Sequence, residues 1–484
     1  LLQAQASAVE RLIADEKRKP TRDGPRTISE ALTSLDRSVA VVEHYFDRVV
    51  LRNAQKAFLP SEQPFCLCVA PAFVRVSPQA PTDAKPASKV ELSMAVGEAE
   101  SFQAIVVPYW ERLERVRVVV EDVFRYDSID RFDPDQIRVW LVQSIAVSSP
   151  VGRDLLWPDP LTPARPFDLP STASQSVLVD LRARKDQPPG LYKGRLTVEA
   201  ANCASMTISL SVEVRPFALP GPSPLDPAFQ PRNDFLQERL AALASGASAL
   251  VWEPFLANYG LSLYTQTSAD KSLTSDWRPW LGEHRPLPTE ALAADPYSLA
   301  APNCFAYRRA AWAAWSAQQD KRATRRRWSV NGWVSFDPPT RPQPIRTIAP
   351  LVRSRLSAEQ STSPQGVIRV NDIGDPEPTL RLIALRDGIE DYHYLATLER
   401  LIADVKSRKA ASWWQRRKWN PLLRVEKRLI AGSDLSDLSD PSELSDRWKR
   451  SQETLSALLA QREAVARAIE EIQLCLDKAA QRAR

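Results

Sequence analysis

The sequence predicts an α+β protein of several domains, with helical ends around a β-rich stretch. Residues 1–60 carry apolar side chains at three- and four-residue spacing, which is typical of helices. From 64 to 219 the period changes to two, which is typical of strands. Helical spacing returns after residue 379. At 484 residues the chain exceeds the size at which one core stops growing, so we expect more than one domain.

The composition is that of a globular protein and disfavours several classes of function. Hydrophobic residues make up 44% and charged residues 25% of the chain, and the net charge is only +5, so nucleic-acid binding is not predicted. Only 14 glycines stand against 40 prolines, which disfavours an intact α/β barrel with its many glycine-dependent loops. No apolar run is long enough for a membrane helix, so no membrane partner is expected. The sequence does not predict a cellular compartment.

Cysteine and histidine usage predicts neither a metal centre nor a cofactor. The chain has five scattered cysteines without a CxxC pair, and three histidines. Cys66 and Cys68 alternate along an apolar stretch, where both thiols would face one side of a strand. We expect them to be packing groups.

The first 60 residues are predicted to form two helices. Apolar residues recur at helical spacing from Val9 to Phe46. Pro20 and Pro25 interrupt this pattern, because proline ends or begins helices. We therefore expect these two helices to be an accessory segment that packs on the protein or forms a coiled coil.

Residues 64–219 are predicted to form an antiparallel β-sandwich. Short β-rich runs follow one another at 90–94, 102–107, 116–120, 137–141, 176–181, 194–198 and 206–214. A turn at 188–194 feeds one of these runs, and Gly190 and Gly194 give it backbone freedom.

The stretch 220–345 is dense in proline, tryptophan and arginine. Its one clear strand-like run is 247–252 (ASALVW). Eight βα units cannot be counted here, so the sequence does not predict a complete barrel.

The C-terminal part is predicted to be helical. An apolar stripe from Leu380 to Ile402 is wide enough for a buried face. After a biased linker at 434–440 (DLSDLSD), apolar residues keep helical spacing up to Leu476, except at Arg462. Two alternatives remain open for this last helix: a short coiled coil that gives self-association, or docking on the body of the protein.

Three strings in the β-rich stretch carry a family resemblance. They are 97–104 (GEAESFQA), 189–194 (PGLYKG) and 212–220 (VEVRPFALP). In this order they resemble the N-terminal sandwich of glycoside hydrolase family 123 and of the related proteins of domain of unknown function 4091.

Further matches lie towards the C-terminus. The string 380–395 (LRLIALRDGIEDYHYL) is similar to the helix that closes the family's catalytic domain. Between the strings, 276–281 (DWRPWL) and 307–315 (YRRAAWAAW) resemble late-barrel segments, and 331–334 (NGWV) resembles the last barrel strand. The resemblance covers roughly residues 85 to 405.

The chain departs from the family in the middle. The family places most of a (β/α)8 barrel between the closing Leu-Pro of the sandwich and the late tryptophans, whereas here about 55 residues separate Pro220 from Asp276. The resemblance therefore implies a truncated (β/α) barrel remnant. The implied domains are a helical segment at 1–60, the sandwich at 64–219, a degenerate barrel remnant with its closing helix at 220–405, and a helical tail at 406–484.

The resemblance implies a substrate-assisted hydrolysis of N-acetylhexosaminides. In the family an Asp orients the substrate acetamido group and an adjacent Glu, followed by Pro, protonates the leaving oxygen. This sequence has no Asp-Glu-Pro, and its one Asp-Glu dipeptide is Asp15-Glu16. Glu253 is the candidate acid, because 250–254 (LVWEP) would place it where an apolar strand ends. The alternative is a surface Glu near the start of a helix.

Aromatic and basic residues supply candidate substrate contacts. Trp277, Trp315 and Trp333 could stack on sugar rings, although core packing is an alternative since Trp312 and Trp315 have helical spacing. The side chains of Arg308 and Arg309 could reach a substrate oxygen or could pair with Asp276, which also belongs to the candidate set.

The predicted function is that of a glycoside hydrolase-like protein with impaired activity, because the carboxylate pair is missing. One alternative is a non-catalytic carbohydrate-binding or assembly protein. Another is a sequence that has lost a central stretch of its parent. A glycan is the expected ligand.

Overall fold

The computed structural model describes residues 2–21, 23–57, 63–72, 74, 76–78, 84–148, 154–219, 228–231, 249–260, 262–263, 329–336, 366–370, 376–410, 412–424 and 443–483. Within these segments no helix is both long and apolar enough to cross a membrane.

The N-terminal segment forms two helices, as the spacing of its apolar residues and its prolines predicts. They are α1 (Leu2–Arg18) and α2 (Gly24–Lys56). The break between them contains Pro20, and the carboxylate of Glu16 accepts hydrogen bonds from the Thr21 backbone and hydroxyl at 2.8 and 3.0 Å. The end of α2 is fixed to the sheets, because buried Arg48 donates to the Pro108 carbonyl at 2.6 Å.

The first sheet has six strands. They are β1 (Phe65–Pro71), β2 (Lys85–Pro86), β4 (Ala99–Pro108), β6 (Ile137–Ser148), β7 (Asp154–Pro163) and β9 (Gln175–Arg182). Their order is β2-β1-β4-β9-β6-β7, and every neighbouring pair is antiparallel.

The second sheet has five strands. They are β3 (Lys89–Val96), β5 (Leu113–Arg125), β8 (Phe167–Leu169), β10 (Gly190–Ala200) and β11 (Cys203–Ala218), in the order β3-β11-β10-β5-β8. The prediction of a purely antiparallel arrangement is wrong here, because β3 runs parallel to β11. These two strands are distant in the sequence, so no tight hairpin imposes an antiparallel pairing on them.

The two sheets share one apolar core. Phe65 and Phe102 of the first sheet belong to the same buried cluster as Leu196 and Val212 of the second. This is the arrangement expected when two sheets stack face to face. We refer to residues 63–219 as the two-sheet unit.

The first sheet is also covered on its other face. On β9, Val179 belongs to the core between the sheets, whereas its neighbour Leu178 belongs to a second apolar cluster with the C-terminal helices. Burial on both faces explains why this strand is buried from Ser176 to Leu181 and carries three consecutive apolar residues, 177–179, instead of alternating.

A third sheet is mainly parallel. Its strands are β12 (Ala228–Pro231), β13 (Ser262–Leu263), β14 (Ser329–Phe336), β15 (Gly366–Val370) and β16 (Pro376–Glu377), in the order β13-β12-β14-β15-β16. All neighbours are parallel except β15 and β16. The string 331–334 does form a strand, but it is not the last one, because β15 follows and pairs with it.

The strand predicted at 247–252 is wrong. Residues Ala249–Ala257 form a helix, α3. A short apolar run cannot distinguish a strand from a buried helix, and after Glu253 and Pro254 the apolar residues Phe255 and Leu256 extend the helical segment. Leu256 and Tyr259 are buried in the same cluster as the C-terminal helices. This burial stabilises the helix.

Three helices make up the described C-terminal part. They are α4 (Leu380–Ser407), α5 (Trp413–Trp419) and α6 (Glu443–Ala483). The Thr379 hydroxyl caps α4 by accepting from the Leu382 amide at 3.2 Å. Leu458 and Ile469 of α6 belong to the buried cluster that contains α4. Of the two alternatives for α6, the structure therefore shows docking on the body of the protein.

Candidate functional site

A buried ionic cluster lies where α4 crosses the first sheet, and Arg386 is at its centre. The Arg386 guanidinium donates to Asp180 at 2.7 Å, to the Ser101 hydroxyl at 2.9 Å and to Asp387 at 2.9 Å. The Ser101 hydroxyl in turn donates to Asp180 at 2.6 Å. All four residues are buried. We call this set the Arg386 cluster.

A second cluster joins α6 to the same region. Arg462 forms ion pairs with Glu98 and Glu100, and its Nε lies 3.5 Å from Asp391. Its guanidinium carbon stands 4.9 Å from the ring centre of Tyr394, whose hydroxyl donates to Glu98 at 2.6 Å. We call this set the Arg462 cluster. It ties together the three elements β4, α4 and α6.

Four charged residues interrupt the apolar stripe of α4, and the sequence predicts that they are paired if buried and tie this helix to the barrel remnant: Arg381, Arg386, Asp387 and Asp391. All four are buried, and their described partners lie on the two-sheet unit and on α6. Arg381 donates to Asp159 of β7 at 2.6 and 2.9 Å. Arg386 and Asp387 belong to the Arg386 cluster, and Asp391 faces Arg462. Among the described residues these charges tie the helix to the two-sheet unit and to α6, and its apolar face also packs with Ile368 of the third sheet and Leu256 of α3. The sequence pattern showed that partners were needed but not where they lie.

Burial sets the protonation of the carboxylates. Desolvation raises the pKa of Glu98, although Arg462 and the Tyr394 hydroxyl oppose this. Desolvation also raises the pKa of Glu390 well above its usual value, against the pull of Arg386. Desolvation acts on Asp180 in the same direction, but Arg386 and the Ser101 hydroxyl outweigh it and lower its pKa. The clusters therefore combine two carboxyls with a raised pKa, Glu98 and Glu390, with one whose pKa is lowered, Asp180.

A cleft of about 480 Å³ opens beside the clusters, between the two sheets and the helices α4 and α6. Its polar lining includes Glu100, Asp387, Arg215 and Arg462. Arg215 is held in place by Ser93 at 2.8 Å, Glu470 at 2.8 Å and Glu463 at 2.6 Å.

The described carboxylates that line the cleft are paired with cations. Glu100 pairs with Arg462, and Asp387 accepts from Arg386, so each carboxylate in the lining already has a cation. A general acid needs a carboxyl within hydrogen-bond reach of a substrate oxygen, and these two carboxylates are already engaged by guanidinium groups. Among the described residues, no group of three His, Cys, Asp or Glu could hold a metal ion.

Only two of the predicted site residues lie within the described part of the chain, Glu253 and Trp333. Glu253 lies inside α3 and not at the end of a strand. Trp333 lies on β14 of the third sheet. The remaining candidates fall outside the described residues: Asp276, Trp277, Arg308, Arg309 and Trp315.

The buried residues that sequence reasoning missed lie inside the strings that carry the resemblance. Glu98, Ser101 and Gln103 belong to the string 97–104, and Gln103 donates to the carbonyls of Pro71 and Ala72 at 3.0 and 2.9 Å. Polar side chains inside an apolar strand were the available signal, since a buried polar group requires a partner.

Comparison with known proteins gives a likeness in fold. No protein-family model matches the chain, and no curated protein sequence matches it. Among solved structures, the family 123 glycoside hydrolase of Clostridium perfringens, studied for glycolipid glycan hydrolysis, aligns with a TM-score of 0.58 and 10% identity. The alignment covers 85% of this chain and 100% of that chain. At this identity the likeness concerns the fold alone.

Other solved structures align over smaller parts. A family 5 xyloglucanase of Bacteroides ovatus gives a TM-score of 0.16 at 10% identity, covering 37% of this chain and 25% of that chain. A protein of family DUF4466 from Parabacteroides merdae gives 0.18 at 10% identity, covering 31% and 45% of the two chains. These scores carry no argument about fold or function.

Proposed function

We propose that this chain is a glycoside hydrolase-like protein that binds glycans containing N-acetylhexosamine and hydrolyses them at no more than a trace rate. In this proposal the two-sheet unit is the family's β-sandwich, and residues 220–405 are a truncated barrel remnant with α4 as its closing helix. A protein that binds the glycan with little or no hydrolysis would combine the two functions that the sequence suggests, a hydrolase-like protein and a non-catalytic carbohydrate-binding protein.

One observation carries the proposal. The strings 97–104 and 380–395, which resemble the family, meet in the Arg386 and Arg462 clusters although they are almost 300 residues apart. Ser101 and Glu98 come from the first string, and Arg386 and Tyr394 come from the second. A chance match of two strings gives no reason for their polar residues to be mutual partners. The fold likeness to the Clostridium perfringens hydrolase supports the same conclusion independently.

The missing carboxylate pair is the reason to expect little turnover. The one Asp-Glu dipeptide, Asp15-Glu16, lies in α1, and Glu16 is engaged by Thr21 in the turn that follows. General acid catalysis is typically worth about 10²- to 10⁴-fold in rate, so its loss alone would leave a trace activity. The truncation itself rests on the spacing between Pro220 and Asp276.

Glu253 is the one remaining candidate for an acid. It lies within α3, one residue before Pro254. Barrel enzymes hold their carboxylates at the carboxyl ends of strands, so a position inside a helix weakens its assignment.

Two measurements on the purified full chain test the proposal. Isothermal titration with N-acetylhexosamine oligosaccharides should show saturable binding, and release of chromophore from an aryl N-acetyl-β-galactosaminide should be at most a trace. Glu253→Gln keeps the shape and removes the acid, and it should leave both results unchanged. Brisk turnover that Glu253→Gln abolishes would overturn the claim of lost catalysis. Absence of binding to every such glycan would overturn the proposed function.

A further inference from the structure

An exposed group of aromatic rings lies where α2 passes the end of β4, and it shares no residue with the two ionic clusters. Tyr45 and Phe46 belong to α2, and Trp110 follows β4 by two residues. Their exposed fractions are 54%, 62% and 44%. Large exposed aromatic groups that come together on one surface mark a binding site more often than single exposed residues do.

From this group we propose that Tyr45, Phe46 and Trp110 form a platform on which the rings of a neutral hexopyranose chain stack. The inference rests on the proposed function, since it names a surface that would take part in binding the glycan. It adds a binding site that is separate from the cleft beside α4. We call these three residues the aromatic platform.

The ring geometry supports a platform and not three unrelated side chains. The Tyr45 and Trp110 ring centres are 5.1 Å apart with planes inclined by 39°. Phe46 meets Tyr45 edge to face at 6.1 Å. Adjacent inclined rings present a continuous apolar surface, and each pair of this kind is itself stabilising.

The platform rests on a rigid frame. Buried Arg48 of α2 donates to the Pro108 carbonyl at 2.6 Å, and the Tyr109 amide donates to the Pro64 carbonyl at 3.0 Å. Tyr109 is itself buried, with its ring 6.3 Å from that of Trp110. These contacts fix the backbone on both sides of the platform before a ligand arrives. Such preorganisation reduces the entropic cost of binding.

The chemistry of the three platform rings suits a carbohydrate ligand. A pyranose ring presents axial C–H groups on an apolar face and hydroxyls at its edge. The platform offers the matching combination, since Tyr45 and Trp110 each join an apolar ring to one hydrogen-bonding group. None of the three side chains carries a charge, which favours a neutral glycan over a charged ligand.

The size of the platform favours a small ligand over a protein. An aromatic side chain buries about 150–250 Å² when fully covered, so three half-exposed rings offer a few hundred Å². A stable protein interface buries about 800 Å² on each partner. A few sugar rings match the area of the three rings, and even with the exposed Val50, one turn further along α2, the surface remains smaller than such an interface.

The chain provides a matched control in Tyr126. This tyrosine is 74% exposed, but the ammonium of Lys193 lies 4.4 Å from its ring centre and occupies one face. It belongs to the second-sheet side of the two-sheet unit, at the end of β5, and lacks a ring partner in the described part of the chain. Its replacement tests for the effect of removing any exposed aromatic ring.

The experiment is titration of the full chain with N-acetylchitooligosaccharides, with N-acetylgalactosamine-terminated oligosaccharides and with cellohexaose. Trp110→Ala and Tyr45→Ala should each weaken binding about tenfold or more, as expected when a central aromatic contact is truncated, and Tyr126→Ala should leave it unchanged. Far-UV circular dichroism and melting temperature check that the variants are folded.

The outcomes separate this inference from the proposed function. Undiminished binding of N-acetylhexosamine glycans by Trp110→Ala and Tyr45→Ala would overturn the platform and leave the proposed function standing. Binding of cellohexaose alone, lost in both variants, would support the platform and overturn the proposed ligand class. No binding of any of the three glycans by the wild-type chain would overturn both. A change in oligomeric state on Trp110→Ala, with glycan affinity unchanged, would make the surface a protein interface and also overturn the platform.

Discussion

Tyr192 shows how single residues of the family-like strings act in this structure. Its ring is buried edge to face against Phe132 at 5.1 Å, and its hydroxyl donates to the Pro188 carbonyl at 2.7 Å while accepting from Gln187 at 3.0 Å. Two residues on, Gly194 faces β5, where an added Cβ would lie 2.9 Å from the Glu121 carbonyl oxygen. The tyrosine and this glycine of the string 189–194 therefore hold the turn against its neighbours, and neither faces a ligand site.

His393 gives a prediction about pH. It is buried, and burial lowers its pKa to about 4, so it is neutral in the folded protein at neutral pH. Its pKa in the unfolded chain is about 6.5, so the unfolded state gains a proton first as the pH falls. The free energy of unfolding contributed by this residue is complete above pH 6.5 and is lost as the pH falls towards 4.

Between pH 7 and pH 5 this loss should amount to about 2 kcal/mol, at 1.36 kcal/mol for each unit of pKa difference. Urea unfolding of wild type and of His393→Gln at both pH values measures it. The variant should lose about 2 kcal/mol less than wild type over the same interval, since glutamine does not titrate. Equal losses in the two proteins would contradict the burial of a neutral imidazole.

At the level of residues, the sequence predicts which positions need a partner but not which partner they take. Arg381, Arg386, Asp387 and Asp391 interrupt an apolar stripe, and that pattern alone predicts their pairing. Their partners lie on other elements, such as Asp180 on β9, and no periodicity connects residues so far apart. The aromatic platform was missed for the same reason, because exposure of Tyr45 depends on what packs beside it.

Among the helices, α6 also shows that a sequence pattern does not reveal which partner a residue takes. Its apolar spacing is broken by Arg462, which on a coiled-coil interpretation is a defect. In the structure this position faces Glu98, Glu100 and Asp391, so the charge completes the docking surface. The apolar face of α6 is covered by α4 and the sheets, and self-association through it is no longer needed to explain the spacing.

The element-scale prediction concerns the attachment of α4. Arg386→Met should lower the free energy of unfolding by about 3–5 kcal/mol, because Asp180 and Asp387 would be left buried without their cation. Arg195→Met is the matched control. Arg195 pairs with Asp122 at 2.8 Å, but both side chains are more than half exposed, at 58% and 57%, so its loss should cost no more than about 1 kcal/mol.

Denaturant unfolding of the two variants at pH 7 makes the comparison. Adding Asp180→Asn to Arg386→Met should recover part of the loss, since it removes one of the unpaired charges. Equal destabilisation by Arg386→Met and Arg195→Met would show that the Arg386 cluster is no stronger than a surface pair.

At the scale of the whole molecule, the predicted order of helical, β-rich and helical regions agrees with the structure, whereas the contacts between regions could not be predicted. The N-terminal helices, the strands at 64–219 and the helix after 379 follow from periodicity, which is a local property. The parallel pairing of β3 with β11, and the contact of α4 with the first sheet, depend on long-range packing. The described partners of the four charges on α4 could not be predicted for the same reason.

These contacts predict that α4 and the first sheet unfold together. The Arg386 cluster joins Ser101 on β4 and Asp180 on β9 to α4, and the apolar cluster on the same face contains Leu178 and Leu385. Elements that share a buried ionic cluster and an apolar cluster should open as one cooperative unit. Strands β5 and β10 belong to the second sheet and do not contact this cluster directly.

Hydrogen exchange on the full chain, followed by mass spectrometry of peptides, tests this expectation. Arg386→Met should reduce the opening free energy by the same amount, about 3 kcal/mol or more, in peptides from β4, β9 and α4. Peptides from β5 and β10 should lose less, because the core between the sheets remains intact. If only the α4 peptides lose protection, the helix opens on its own, and the ionic cluster does not couple it to the sheet.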